Sequence, residues 1–305
     1  MKLIHSTSGK IRPLLARSLV GRSRSCNLRM TDTPVSGEHA LVVWTGTHWE
    51  ARDLGSTNGT FVDGQRLEPG KPLTLGPNAR IGFGDPEMPW TVTSDLPPGL
   101  VAVDLATGEA ILAENRILAL PSEDEPALFV YESSPGHWIE ETAEDARACD
   151  IDDQAIVTVG GRVMRVELPV AHEGTPMADE TATLDRVTLR FSVSPNEEMV
   201  RISVQLHNVV TPLDPREHGY LLLTLARRRL AEADKPVPER GWIERDQLLR
   251  MLRIDANSLN VAIFRARQQL SAAGIQGAAS IVETRRGQRR IGIDRLVMTP
   301  WTADT

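Results

Sequence analysis

The alternation of apolar and polar positions changes character along the 305 residues. From the start to about residue 95 it comes in short bursts, such as Ala40-Leu41-Val42-Val43-Trp44 and Thr60-Phe61-Val62. Turn-forming clusters separate them: Asp53-Leu54-Gly55-Ser56-Thr57-Asn58-Gly59, Asp63-Gly64 and Gly82-Phe83-Gly84-Asp85. Alternation with a period of two belongs to strands with one buried face, and many short strands closed by turn residues predict a β-sandwich over 1–95. Leu96-Pro97-Pro98-Gly99-Leu100 reads as a boundary. Residues 96–170 are β-rich again, ending in Ala155–Val159 and Val163–Val166. Ala127-Leu128-Phe129-Val130-Tyr131 followed by His137-Trp138 echoes Ala40–Trp44 followed by His48-Trp49. The middle region is therefore either an unrelated small β-domain or a degenerate copy of the first sandwich.

Residues 171–184 are small, polar and acidic, as a linker is. Beyond them, over 185–298, the period changes. Val187, Leu189, Phe191 and Val193 alternate, Pro195-Asn196-Glu197-Glu198 turns the chain, and a second alternating run follows at 200–206, which predicts a hairpin. Asp214-Pro215-Arg216-Glu217 has the form of a helix start, with a cap, a proline in the first turn and a capping-box Glu. That helix should run to about Ala231. A second is expected over roughly 244–253, and a third from just after Asp255 to about Ala273, ending at Gly274. A final hairpin turns at Arg286-Gly287-Gln288. The fold class is multidomain: an all-β sandwich, a small β-rich middle region and an α+β C-terminal module.

Charge sharpens this division. The formal net charge of −7 resolves into +3 over residues 1–94, −16 over 95–199 and +7 over 200–299. A basic end joined to an acidic middle suggests a nucleic-acid-facing module. Cys26 and Cys149 are far apart and have no metal or redox spacing, as expected of free thiols in a reducing compartment. No apolar run reaches membrane-span length and Met1–Ser6 carries no signal-like stretch, so a cytoplasmic protein with no membrane association is expected. No HExxH, paired CxxC, P-loop or GxSxG occurs, and the seven histidines lack metal spacing. These features predict no enzyme activity, no catalytic residue, no metal and no cofactor.

The chemistry concentrates in an ordered set: Gly21-Arg22, Ser36-Gly37-Glu38-His39, Asp53, and Ser56-Thr57-Asn58-Gly59-Thr60. Each part alone has an ordinary explanation. Arg22 would be a surface ion-pair residue, Ser36 a turn residue and Asn58-Gly59 a hairpin turn. Together, over residues 1–95, they resemble the forkhead-associated (FHA) family, whose members bind phosphothreonine. The chemistry suits that ligand. A phosphothreonine carries roughly −1.5 to −2 charge and three acceptor oxygens, so its site needs several donors on loops held by a rigid scaffold. Arg22 offers a charged, forked donor, Ser36 and Thr57 offer hydroxyls, and Asn58 can bond a peptide backbone. The resemblance implies structural roles for Gly21, His39 and Gly59. The sequence departs from the family at Gly37, where other members place larger polar residues.

The C-terminal order of hairpin, three helices and hairpin resembles the winged helix of OmpR/PhoB-type output domains, with Leu259–Leu270 in the place of the recognition helix. Leu259, Ile263, Ala266 and Leu270 share one stripe and should be buried. Asn260, Phe264, Arg267, Gln268 and Ser271 fall on other faces. No acidic residue occurs between Asn257 and Gly274. Arg and Gln on such a helix can read base edges, and an arginine-rich wing can hold phosphates. The expected contacts with double-stranded DNA are Asn260, Arg265, Arg267, Gln268, Arg285, Arg286, Arg289 and Arg290. Phe264 is large for a groove-facing position and points to packing against another subunit.

These readings combine into a phosphothreonine-binding adapter that recognises a protein phosphorylated by an upstream Ser/Thr kinase. Its winged helix would make it a phosphorylation-responsive transcription regulator. The alternative is a signalling scaffold whose winged helix binds protein. The linker adds a narrower expectation: Thr181 or Thr183, once phosphorylated, could dock on the Arg22/Ser36/Thr57 site. The competing view is a plain acidic linker.

Overall fold

The computed structural model describes residues 2–94, 96–113, 115–134, 136–144, 147–169, 182–285 and 287–301. The chain divides into two compact units, Met1–Leu112 with Met164–Glu173, and Ala113–Val163 with Gly174–Thr305.

The first unit contains the expected sandwich. A five-stranded sheet runs Leu28–Arg29, Arg17–Gly21, Ala40–Trp44, Trp49–Asp53, Pro72–Leu75, and a six-stranded sheet is built around Arg80–Phe83 and Trp90–Val92. Alternation sets the register. Ala40 faces Asp53, Val42 faces Ala51 and Trp44 faces Trp49, all of them buried, while Leu41 and Val43 point to the other side. The Trp44 and Trp49 rings lie 5.4 Å apart in a tilted pair. Val101–Asp104 pairs with Ala110–Leu112 and with Arg162–Glu167.

The middle region of 96–170 is thus not one body. Residues up to Leu112 and from Met164 belong to the first unit, and Ala113–Val163 belongs to the second. The second unit contains a four-stranded antiparallel sheet, Ile117–Leu120, Leu128–Ser134, His137–Thr142 and Ala148–Asp150 in chain order, called here the middle sheet. Leu128–Tyr131 is buried at every position, so both faces of that strand are covered.

Among the described residues, the remainder of the second unit has three α-helices, α1 (Gly219–Ala231), α2 (Arg245–Leu252) and α3 (Ala256–Ala272). The hairpin Thr188–Val193 with Val200–Leu206 forms as the alternation predicts. Two strands that the pattern did not reveal complete its sheet: Val209–Pro212 is antiparallel, and Leu296–Thr299 pairs in parallel from more than a hundred residues away in sequence. A second sheet joins Ile243–Glu244 to the hairpin Val282–Arg285 and Gln288–Ile291. Asp255 caps α3 by accepting the Ser258 amide at 2.7 Å.

Two boundaries move. Helix α1 begins at Gly219 and not at Asp214–Glu217. The Asp214 carbonyl accepts the Gln269 side-chain amide at 2.7 Å and Leu213 N–H bonds the Ile202 carbonyl at 2.9 Å, which holds this stretch extended across α3. The linker ends before Ala182. Leu184 is buried in the main core, and Thr183 forms a parallel bridge to Gln276. Thr183 therefore belongs to the packed C-terminal module. Thr181 and Arg286 lie outside the described residues.

Candidate functional site

The loops at one end of the sandwich meet through His39, which is wholly buried. Its Nδ1 receives the Ser36 backbone N–H at 2.9 Å, and its Nε2 lies 3.1 Å from the Gly59 carbonyl. A nitrogen facing an N–H must accept, so Nε2 carries the proton and donates to Gly59. Burial lowers the imidazole pKa, outweighing the Gly59 carbonyl and Asp53, which both favour the cation. One neutral ring thereby joins the Ser36 loop to the Thr57–Gly59 loop.

A second hub lies beneath the loop. Asp53 is buried, and its carboxylate accepts from Ser56 Oγ at 2.6 Å, Thr60 Oγ1 at 2.7 Å, and the Gly55 and Ser56 amides at 2.9 and 3.0 Å. Burial opposes this charge, but the four donors outweigh it and hold the pKa below its ordinary value. Ser56 Oγ in turn accepts Gly59 N–H at 2.9 Å. The spacing from Asp53 to Ser56 is that of a side chain bonding backbone two and three residues on, a signal present in the sequence but given no role there.

On this frame the residues expected to recognise phosphate come together. Ser36 Oγ accepts the Thr57 amide at 3.0 Å, and the two hydroxyls are 3.5 Å apart. Arg22 N–H bonds the Ser36 carbonyl at 2.9 Å, so Arg22 starts beside the same loop, with its side chain exposed. The Arg22 guanidinium has no ion-pair partner among the described residues. Asn58 Nδ2 donates to the Pro34 carbonyl at 2.9 Å, which commits one of its donors to the loop frame.

Two glycines explain themselves sterically. A Cβ on Gly21 would lie 2.1 Å from the Gly37 carbonyl oxygen. Gly59 has φ +88°, and a Cβ there would meet Arg66 Nε at 2.3 Å. Arg66 thus lies against the Gly59 turn, and Cys26 Sγ lies 3.2 Å from the Gly37 carbonyl. Sequence reasoning assigned neither residue to the site.

The FHA domain model matches residues 19–84. This stretch is an FHA domain. The FHA domain-containing protein FhaB of Mycobacterium tuberculosis is 38% identical over 64 residues, covering 21% of this chain and 41% of FhaB. The chain therefore spans about two-fifths of the length of that curated relative. A structure of Mycobacterium tuberculosis EmbR in complex with a low-affinity phosphopeptide is 29% identical, with a TM-score of 0.29, covering 31% of this chain and 24% of that one. The N-terminal FHA domain of S. cerevisiae Rad53p in complex with a phosphothreonine peptide is 21% identical, with a TM-score of 0.28, covering 31% and 92% respectively.

Outside the FHA domain, α3 departs from expectation. Leu259, Ile263, Ala266 and Leu270 are buried in the main core of the second unit. Asn260, Phe264 and Arg267, expected on outward faces, are buried as well, with Arg267 at 0% exposure. They form a second stripe at i, i+4 and i+7, covered by the middle sheet. Phe264 stacks on Phe129 at 6.3 Å between centroids, within a cluster that includes Ile117, Ala119 and Tyr131. The bulk of Phe264 was the readable sign, but its partner lies in the same chain.

The expected DNA contacts accordingly do not form one open surface. Asn260, Arg267 and Arg289 are buried. Arg265 and Arg285 are exposed, and Gln268 and Arg290 are half-buried. Arg285 and Arg290 both stack on Trp242, at 4.2 and 4.5 Å. Arg290 also pairs with Glu283.

Proposed function

We propose that the chain is a phosphothreonine-peptide-binding adapter, with Arg22, Ser36 and Thr57 holding the phosphate and Asn58 the peptide backbone. The observation that carries this reading is the short link from Ser36 Oγ to the Thr57 amide at 3.0 Å, which brings the two hydroxyls together beside an exposed arginine. A dianion offers acceptors only, and this cluster offers donors with a positive charge. His39, Gly21 and Gly59 keep the loops in place. The partner is a protein phosphorylated on threonine by a separate Ser/Thr kinase. The adapter works in the cytoplasm; no helix among the described residues is long and apolar enough to cross a membrane. Calorimetric titration of the full chain with a phosphothreonine peptide and its unphosphorylated twin tests the assignment, with Arg22→Ala as the site control.

We further infer that the C-terminal module is a winged helix that engages double-stranded DNA through α3, making the chain a phosphorylation-responsive transcription regulator. The absence of carboxylates from Asn257 to Gly274 and the excess of arginine over 200–299 support this. The competing reading is a scaffold whose winged helix binds protein. It is favoured by one observation: the Asn260, Phe264 and Arg267 stripe of α3 already packs on another part of the same chain. A gel shift with duplex DNA across a salt series separates the two, since phosphate contacts weaken steeply with salt.

A further inference from the structure

The surface between α3 and the middle sheet has a direction. Asn257 Nδ2 donates to the Asp124 carbonyl at 2.9 Å, Asn260 Nδ2 to the Pro126 carbonyl at 3.5 Å, and Ser271 Oγ to the Asn115 carbonyl at 2.7 Å. Arg267 donates to both Glu141 oxygens, at 2.9 and 3.3 Å, and Arg289 to the Ala143 carbonyl at 3.2 Å. In every one of these bonds the helix or wing donates and the middle segment accepts. An array of acceptors with one carboxylate presents the chemistry of a nucleic-acid backbone and its base edges.

The interface is also costly for a permanent one. Arg267 and Arg289 are 0% and 1% exposed, and Glu141 is the one buried carboxylate bonded there. Among the described residues, Arg267 Nε and Nη1, Arg289 Nε and Asn260 Oδ1 have no hydrogen-bond partner, and the Arg267 guanidinium faces the Tyr131 and Phe129 rings at 4.7 and 5.4 Å instead. Glu141 and the ring faces hold the Arg267 charge, but buried N–H groups without acceptors keep a cost that apolar residues of similar size would not carry. Residues 113–163, which contain the middle sheet, hold 12 Asp/Glu and 3 Lys/Arg, against a net +7 over 200–299, so the covering segment is acidic and the module it covers is basic.

We propose that the middle sheet is an internal decoy for DNA: it occupies the α3 face with acceptors that imitate the duplex and is displaced when that face is used. This rests on the reading of the module as a DNA-binding winged helix. Glu141 is the central group of the decoy, bonded by Tyr131 Oη at 2.5 Å on one side and by Arg267 on the other. Displacement would free Asn257, Asn260, Arg267, Ser271 and Arg289 together.

The test uses the full chain, a labelled mixed-sequence DNA duplex at low salt, and hydrogen exchange over 256–272. Glu141→Ala leaves Arg267 without its carboxylate. The expected result is faster exchange in α3 and at least a tenfold gain in DNA affinity that high salt abolishes. A second measurement needs no variant: saturating DNA should speed exchange in Leu128–Ser134 and His137–Thr142 of the wild type. This arm decides the matter if Glu141→Ala does not fold. If Glu141→Ala opens α3 and DNA still does not bind, the DNA reading itself fails, and the decoy with it. If the wild type binds as tightly as Glu141→Ala while α3 and the middle sheet stay protected, DNA binds elsewhere and only the decoy is overturned. Unchanged protection in Glu141→Ala with no gain in affinity also overturns the decoy.

Discussion

His39 and Ser36 are joined by a bond that runs from backbone to ring: the Ser36 amide donates to His39 Nδ1 at 2.9 Å. The direction matters because it requires an unprotonated Nδ1. Burial lowers the pKa of His39 in the fold, whereas in the unfolded chain the ring titrates near about 6.5. The unfolded state therefore binds the proton first. The stabilisation is complete above that pH and is lost as pH falls below it. Urea unfolding of the FHA domain should show stability falling between about pH 7 and pH 5, and His39→Gln should flatten that slope. An unchanged slope in the variant would assign the loss to other groups.

Asp53 acts in the same direction as His39, at lower pH. Its pKa is held down in the fold by four donors, so its contribution is present above the ordinary carboxylate range and disappears as pH falls through the lowered folded value. Asp53→Ala leaves Ser56, Thr60 and the loop amides without their acceptor. A loss of about 2–4 kcal/mol in denaturant unfolding is expected, together with weakened phosphopeptide binding through the displaced Thr57 loop.

Gly21→Ala should be destabilising by about 1–3 kcal/mol, because its Cβ would lie 2.1 Å from the Gly37 carbonyl oxygen and the backbone of the Ser36 loop would have to move. Thermal unfolding measures this. Gly37→Ala is the control: nothing lies within 4 Å of a Cβ there, so its stability should be near wild type.

Arg267 and Glu141 test the second unit. Burial disfavours the charge on Arg267, and the Glu141 carboxylate with the Tyr131 hydroxyl outweighs that, raising its pKa. Arg289 lies beside the pair, and its pKa is lowered to about 10, chiefly by burial and also by Arg245 and Arg267. Arg267→Met alone should cost about 3–5 kcal/mol, since Glu141 is left buried and unpaired. Adding Glu141→Leu should recover much of that loss, because apolar residues fill such a site at least as well as an ion pair. A double variant no more stable than the single one would contradict this.

The sequence made some of this legible and hid the rest for physical reasons. Strand alternation at Ala40–Trp44 and at Val187–Val193 is local, so both runs could be read directly. The Asp255 cap and the α3 boundary are also local. Val209–Pro212 and Leu296–Thr299 were invisible because a strand at the edge of a sheet, or one paired across long sequence separation, carries little pattern of its own. Gly21-Arg22, Ser36, His39 and Thr57-Asn58-Gly59 are legible as an ordered set, whereas the full set of donors meeting Asp53 appears only in three dimensions. Reading α3 as having one buried stripe missed the second, because no helical period tells which outward face another module covers. Phe264 alone hinted at it.

Calorimetry on the full chain tests the proposed phosphothreonine site of Arg22, Ser36 and Thr57 most directly. A phosphothreonine peptide should bind while its unphosphorylated twin does not. Arg22→Ala should weaken binding by about ten- to a hundredfold, the equivalent of one charge-assisted contact, with unfolding stability unchanged. Equal binding of both peptides, or full affinity in Arg22→Ala, would contradict it.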